Sequence, residues 1–275
     1  MHIFFGISQI YTIDIYEFYF EEYMLGYLTL ANDHFNFNNT RNENMKTIGL
    51  LGGMSWESTL DYYRAINKGV KKTLGDLHSA KIAMYSVDFE PIEKLLQSGD
   101  WEGISKRLSD AAKSVEAAGA DFLLICTNTM HKIGPEIEKA VQIPLLHIAD
   151  ATAEVLVSDG IKSVGLLGTS FTMEHDFYKG RLNSKYGLNV LIPNDDDRQI
   201  VHDIIFQELC LGKIEPKSKA EYLRIIKTLA NQGAEAVILG CTEIGMLVNQ
   251  SDTSVRLLDT TAIHAEKAVE YAMAM

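Results

Sequence analysis

Cysteine is scarce in this chain of 275 residues: Cys126, Cys210 and Cys241 are the whole set. An odd, sparse trio does not build a secreted disulfide framework, and it lacks the close pairs of a structural zinc site. Positive charge is also short, with 25 Lys and Arg against 37 Asp and Glu and a formal net charge of −12. Nucleic-acid binding needs a basic face, so that class is disfavoured. An anionic small molecule remains compatible, because a pocket can be locally rich in N–H donors. A membrane span needs about 20 apolar residues, and Asp14, Glu17, Glu21 and Glu22 interrupt every candidate window near the N-terminus. The same stretch lacks the basic and clean apolar regions of a secretory signal. What remains, 47% apolar and 23% charged, is the composition of an ordinary soluble globular protein with chain enough for one or two cores.

The composition shifts at Met45. Residues 1–44 are rich in aromatics and acids, carry the single base Arg41, and run from Ala31 to Asn44 into an Asn-rich linker. The expectation is that they lie outside the folded body, as sequence ahead of a working start at Met45. The rival reading is an amphipathic arm covering a partner.

Beyond Met45 the chain repeats itself. Lys46-Thr47-Ile48-Gly49-Leu50-Leu51-Gly52 returns as Lys162-Ser163-Val164-Gly165-Leu166-Leu167-Gly168. Gly119-Ala120-Asp121-Phe122-Leu123-Leu124-Ile125-Cys126-Thr127-Asn128-Thr129 returns as Gly233-Ala234-Glu235-Ala236-Val237-Ile238-Leu239-Gly240-Cys241-Thr242-Glu243. Pro144-Leu145-Leu146-His147 has a weaker echo in Arg256-Leu257-Leu258-Asp259. Three blocks in the same order indicate a duplicated domain. Short apolar runs predict strands at Thr47–Leu51, Ile82–Val87, Phe122–Cys126 and Pro144–Ile148. In the second copy they predict strands at Ser163–Leu167, Asn189–Pro193, Ala236–Gly240 and Val255–Leu258. Helical periods over Ser105–Ala118 and Lys217–Gln232 end at Gly119 and Gly233. Alternating strands and helices imply an α/β fold with parallel sheets flanked by helices. Ligands of such sheets sit at the carboxyl ends of strands, where Thr127 and Cys241 stand at equivalent places. Two pseudo-symmetric domains would bring these loops together across one cleft.

The loops carry the chemistry. Gly52-Gly53-Met54-Ser55 follows a strand and opens a helix, a place where N–H groups meet an anion. It is neither a dinucleotide fingerprint nor a Walker loop, and a plain tight turn would read the same way. Thr127-Asn128-Thr129 supplies hydroxyls and an amide that suit a carboxylate or cap a helix. Cys241, just ahead of helix N–H groups, is placed for a lowered pKa and a nucleophilic thiolate. Cys126 and Cys210 read as core residues, His131 and His147 as structural ones, and Asp195-Asp196-Asp197 as a solvated loop rather than a metal site.

Gly52-Gly53-Met54, Thr127-Asn128-Thr129-Met130-His131 and Gly240-Cys241-Thr242-Glu243, in this order on a duplicated frame, resemble the aspartate/glutamate racemase superfamily, aspartate-racemase branch. The resemblance runs from Met45 to about Met275. It implies two α/β domains, 45–143 with 261–275 and 144–260, an active site between them, and no metal or pyridoxal phosphate. It implies a cysteine from each half as paired acid and base on the substrate Cα. Cys241 takes the second cysteine's place, and Thr127 stands where the first belongs. Met54 and Ser55 match the first loop, Asn128 and Thr129 the carboxylate-binding pair, and Thr242 with Glu243 the second-half partner. Thr169 falls in the loop after the second copy's first strand. Cys126, one position from Thr127, is turned to the core by strand alternation. Glu93 and Cys210 fall where aspartate racemases bring basic side chains. The expectation is a cytoplasmic, cofactor-independent racemase of aspartate and/or glutamate that favours the L substrate, with no nucleic-acid or membrane partner and a homodimer left open. The alternatives are a single-cysteine malonate-type decarboxylase of the same superfamily and a non-catalytic amino-acid-binding protein.

Overall fold

Three strands, β1 (Ile48–Gly52), β3 (Phe122–Ile125) and β6 (Ala236–Gly240), are buried at every position. Their uninterrupted apolar runs suit the inner strands of a parallel sheet covered on both faces. The structure, a computed structural model, describes residues 45–274, and the expectation for residues 1–44 lies outside them. Lys46–Ala274 form one compact unit. With β2 (Ile82–Ser86), the first sheet has the order β2-β1-β3, all parallel. The second sheet adds β4 (Ser163–Gly168), β5 (Asn189–Leu191) and β7 (Arg256–Asp259) in the order β5-β4-β6-β7, again parallel. The two sheets share one topology, as a duplication requires. Each has its own apolar core, one around Leu51, Leu123 and Ile125, the other around Leu166, Ile238 and Tyr222.

Pro144–Ile148 is not the expected strand. It makes a single parallel bridge, Leu123 to Leu145, held by the Leu123 and Leu146 N–H groups. Pro144 has no N–H to extend the ladder. His147 then stops it, because its side chain accepts from the Ala149 N–H and caps the helix Ile148–Ser158. The acidic run is not a loop either. Asn194 accepts from the Asp197 N–H, and Asp195–Gln207 is a helix whose first turn holds the three carboxylates. Acids there complement the helix dipole. The repeat's helices are Trp101–Ala117 and Pro216–Asn231, followed by Gly119 and Gly233 at positive φ. Among the described residues no helix is long and apolar enough to cross a membrane.

Three buried histidines fasten the segment where the chain passes between sheets. His131 donates from Nδ1 to the Thr127 carbonyl at 2.8 Å and accepts at Nε2 from the Ile148 N–H at 3.3 Å. His264, on the last helix Thr260–Met273, bonds the Leu146 carbonyl through Nε2 at 2.8 Å. Its Nδ1 therefore accepts from Tyr62 Oη, also at 2.8 Å. These pairings require neutral rings. Burial pushes the His147 pKa down to about 3 and that of His264 to about 4, and holds His131 well below the ordinary range.

Candidate active site

The loops after β1, β3, β4 and β6 converge at the carboxyl ends of the two sheets. Gly53 makes the first turn, at φ 95°, with its Cα so close to Val87 that a Cβ would lie 2.2 Å from the Val87 carbonyl oxygen. No other residue type fits that approach. Ser55 then caps the helix Trp56–Leu74, accepting from the Ser58 N–H at 3.3 Å. Thr169 plays the same part in the second copy, capping the short helix Ser170–Glu174. After β3 and β6 the strands give way to Thr127 and Cys241.

These loops enclose a cavity of about 30 Å³, room for about one water. Met54, Ser55, Thr127, Thr129, Thr169, Cys241 and Glu243 line it. Asn128 and Thr242 are buried but do not reach its wall. The remaining lining is Phe89, Leu96, Met130, Ile205, Phe206 and Cys210. In sequence the apolar members of that group look like core positions of helices, and nothing marks them as site residues. Leu96 and Phe206 also border an outer cavity of about 370 Å³ lined by Glu93, Gln97, Phe171, His202, Asp203 and Gln207. Glu93 therefore sits outside the inner cavity and Cys210 on its wall. No Lys or Arg lines either cavity among the described residues. The described residues hold no His/Cys/Asp/Glu cluster fit for a metal.

Polar bonds join the two halves around this cavity. Thr129 Oγ1 and Thr169 Oγ1 lie 3.2 Å apart, and Thr172 Oγ1 is 3.3 Å from Thr169 Oγ1. Ser55 Oγ donates to Glu243 Oε1 at 2.8 Å. The other carboxylate oxygen accepts from Thr242 Oγ1 at 2.7 Å and from Cys241 Sγ at 2.9 Å. Thr242 thus gives its hydroxyl to Glu243 in this form. Asn128 Nδ2 donates to Thr260 Oγ1 at 3.0 Å, and Thr260 in turn donates to the Leu239 carbonyl. That chain fixes the amide, leaving Asn128 Oδ1 as a buried acceptor with no partner. An acceptor suits an ammonium better than a carboxylate.

The thiols differ from the expected picture in one respect. Cys126 is fully buried, and burial raises its pKa. Cys241 is half-buried. Desolvation and the Glu243 carboxylate push its pKa well up, so the resting group is a thiol. The expected lowering by a helix N-terminus does not prevail, because the helix that follows, Ile244–Leu247, is a single turn and the adjoining charge is negative.

The profile of the Asp/Glu/hydantoin racemase family matches residues 51–268. A crystal structure from Yersinia pestis, described as a candidate Asp/Glu racemase, is similar at 55% identity and a TM-score of 0.79, covering 84% of this chain and all of that one. An aspartate racemase homologue from Pyrococcus horikoshii is similar at 37% identity and a TM-score of 0.73, with the same coverage. The broad specificity amino-acid racemase RacX of Bacillus subtilis is 26% identical over 234 residues, 81% of this chain and 96% of that protein.

Proposed function

The chain belongs to the Asp/Glu/hydantoin racemase family, and from that premise we propose that it is a cofactor-independent cytoplasmic racemase of aspartate and/or glutamate. The observation that supports this most is the single cavity lined by Cys241 from one copy of the repeat and by Thr127 from the other. A substrate Cα held there would have one of them on each face. Cys241, once ionised, removes the proton of the L enantiomer. The pair of electrons left on carbon moves into the α-carboxylate, and its developing charge is met by the Thr129 and Thr169 hydroxyls and by N–H groups of the loops at Ser55, Thr129 and Thr169. Asn128 lies behind the cavity wall in this closed form, and its unpaired Oδ1 is the acceptor we assign to the α-ammonium once the halves part. Thr127 delivers a proton to the opposite face. A hydroxyl is a far weaker acid than a thiol, so Thr127 is a poor base toward the D enantiomer. That favours the L substrate in turnover number.

A cavity of about 30 Å³ is smaller than any amino acid, so the halves must part for substrate to enter. The moving bodies in this reading are residues 45–143 with 261–275 and residues 144–260. The test is incubation of the protein, with chelator present, with L-aspartate and L-glutamate followed by chiral chromatography. The proposal expects the D enantiomer to accumulate toward an equal mixture. Unchanged L enantiomer for both substrates would refute it.

A further inference from the structure

Glu243 is a buried carboxylate with three side-chain donors on it: Ser55 Oγ at 2.8 Å, Thr242 Oγ1 at 2.7 Å and Cys241 Sγ at 2.9 Å. We infer that Glu243 is the proton acceptor for the Cys241 thiol, and acts on the reaction through sulfur rather than as a ligand of the substrate. This rests on Cys241 being the base of the racemase proposed above.

Three observations carry the assignment. First, the thiol proton already points at Glu243 Oε2, with sulfur 2.9 Å from that oxygen. Second, no other base among the described residues reaches the thiol. Both ring nitrogens of His131 are taken by backbone groups, His147 caps its own helix, and no histidine lines the inner cavity. Cys210, the other thiol on that wall, is itself held protonated by burial. Third, Ser55 and Thr242 keep the carboxylate from turning away, and they stabilise its charge until it takes the proton. Ser55 comes from the first half and Glu243 from the second, so the acceptor is fully positioned only when the halves meet.

The raised pKa of Cys241 fits this arrangement. A thiolate standing beside a carboxylate is unfavourable at rest. The ion forms only as the proton crosses to Glu243, which loses its charge as sulfur gains one. The S–H bond breaks, its electron pair stays on sulfur, and an O–H bond forms at Oε2. Sulfur then takes the Cα proton of the L substrate, and the C–H pair enters the enediolate. If the carbanion is reprotonated from the same face, sulfur gives a proton back to Cα and recovers one from Glu243, leaving the site as it began. If it is reprotonated from the Thr127 side, the proton on Glu243 makes good that loss through water when the cleft opens.

Glu243→Gln and Glu243→Asp test the assignment by two readouts. One is the pH profile of iodoacetamide alkylation at Cys241, resolved by peptide mass spectrometry. The other is deuterium uptake at Cα of L-aspartate and L-glutamate. In Glu243→Gln the alkylation profile should move to lower pH, because a negative charge beside the thiolate is gone. The kcat for exchange should nevertheless fall about 100-fold or more, with KM within about threefold, while Glu243→Asp recovers part of the rate. An unmoved alkylation profile, parental or faster exchange in Glu243→Gln, or a rise in KM alone would overturn the assignment. If Glu243→Gln does not fold, Glu243→Asp decides. The same high-pH alkylation profile with reduced kcat supports the role, and parental kcat overturns it. Failure of the parent protein to exchange any substrate would refute the racemase reading instead, and the alkylation profile would still report the Glu243–Cys241 coupling.

Discussion

At the scale of single residues, Cys241 and Thr127 make unequal partners, and substitution should expose the inequality. Cys241→Ser replaces a thiol by a hydroxyl of nearly the same shape, so the fold should stand while Cα deuterium exchange drops on the order of a thousandfold. Parental exchange in the folded variant would remove Cys241 from the mechanism. Thr127→Cys should raise inversion relative to exchange, with the larger gain in kcat for the D enantiomer, because a second thiol can then ionise on that face. No change in the ratio would mean that another group already serves it. The position of both residues is legible in the repeat, which aligns Thr127 with Cys241. The direction of the Cys241 pKa is not. The adjacent Glu243 is visible in the sequence, but its rotation onto Sγ, and the single-turn helix too short to offset it, are tertiary facts. The hydrophobic wall was equally hidden: Leu96 and Phe206 keep the helical period of buried residues whether they face a core or a ligand.

At the scale of elements, the loops are set by caps and by the histidine cluster. The order β2-β1-β3 with the Leu145 bridge reproduces β5-β4-β6-β7, which the three repeated blocks had implied. Where the sequence reading erred, local capping chemistry prevailed: His147 ended the would-be strand, and Asn194 turned an acidic run into a helix start. The histidines give this region a pH dependence. His147 and His264 have folded values of about 3 and about 4, below the unfolded value of about 6.5. Between those values the unfolded chain binds more protons, so stability is complete above about pH 6.5 and falls as pH drops toward the folded values. From pH 7.5 to 5 each neutral buried ring should lose the fold about 2 kcal/mol. The urea midpoint, followed by circular dichroism, should fall accordingly. A midpoint that holds over this range would contradict neutral histidines at these positions.

At the scale of the whole molecule, every assigned side chain lies in Lys46–Ala274, one compact unit. A chain beginning at Met45 should therefore melt and turn over like the full one. Lost activity on that truncation would show that residues 1–44 build part of the working protein. Within the unit, Ser55–Glu243 and Thr129–Thr169 draw the two copies of the repeat together over a cavity with room for about one water. Lys132 adds a further link, donating to His175 Nδ1 at 3.0 Å and lying 3.8 Å over the Trp101 ring. In the proposed mechanism the duplication serves the chemistry, since it supplies one strand-end group to each face of a single carbon. The most direct test of that claim is proton NMR of L- and D-aspartate and L- and D-glutamate in deuterated buffer with the protein, timing loss of the Cα signal against chiral analysis of the same samples. The account predicts that deuterium enters the L enantiomer faster than it inverts, because the carbanion is often reprotonated by Cys241 on the face it left, while the D enantiomer exchanges only as it inverts. Equal exchange and inversion from both enantiomers, or no exchange from either, would contradict it.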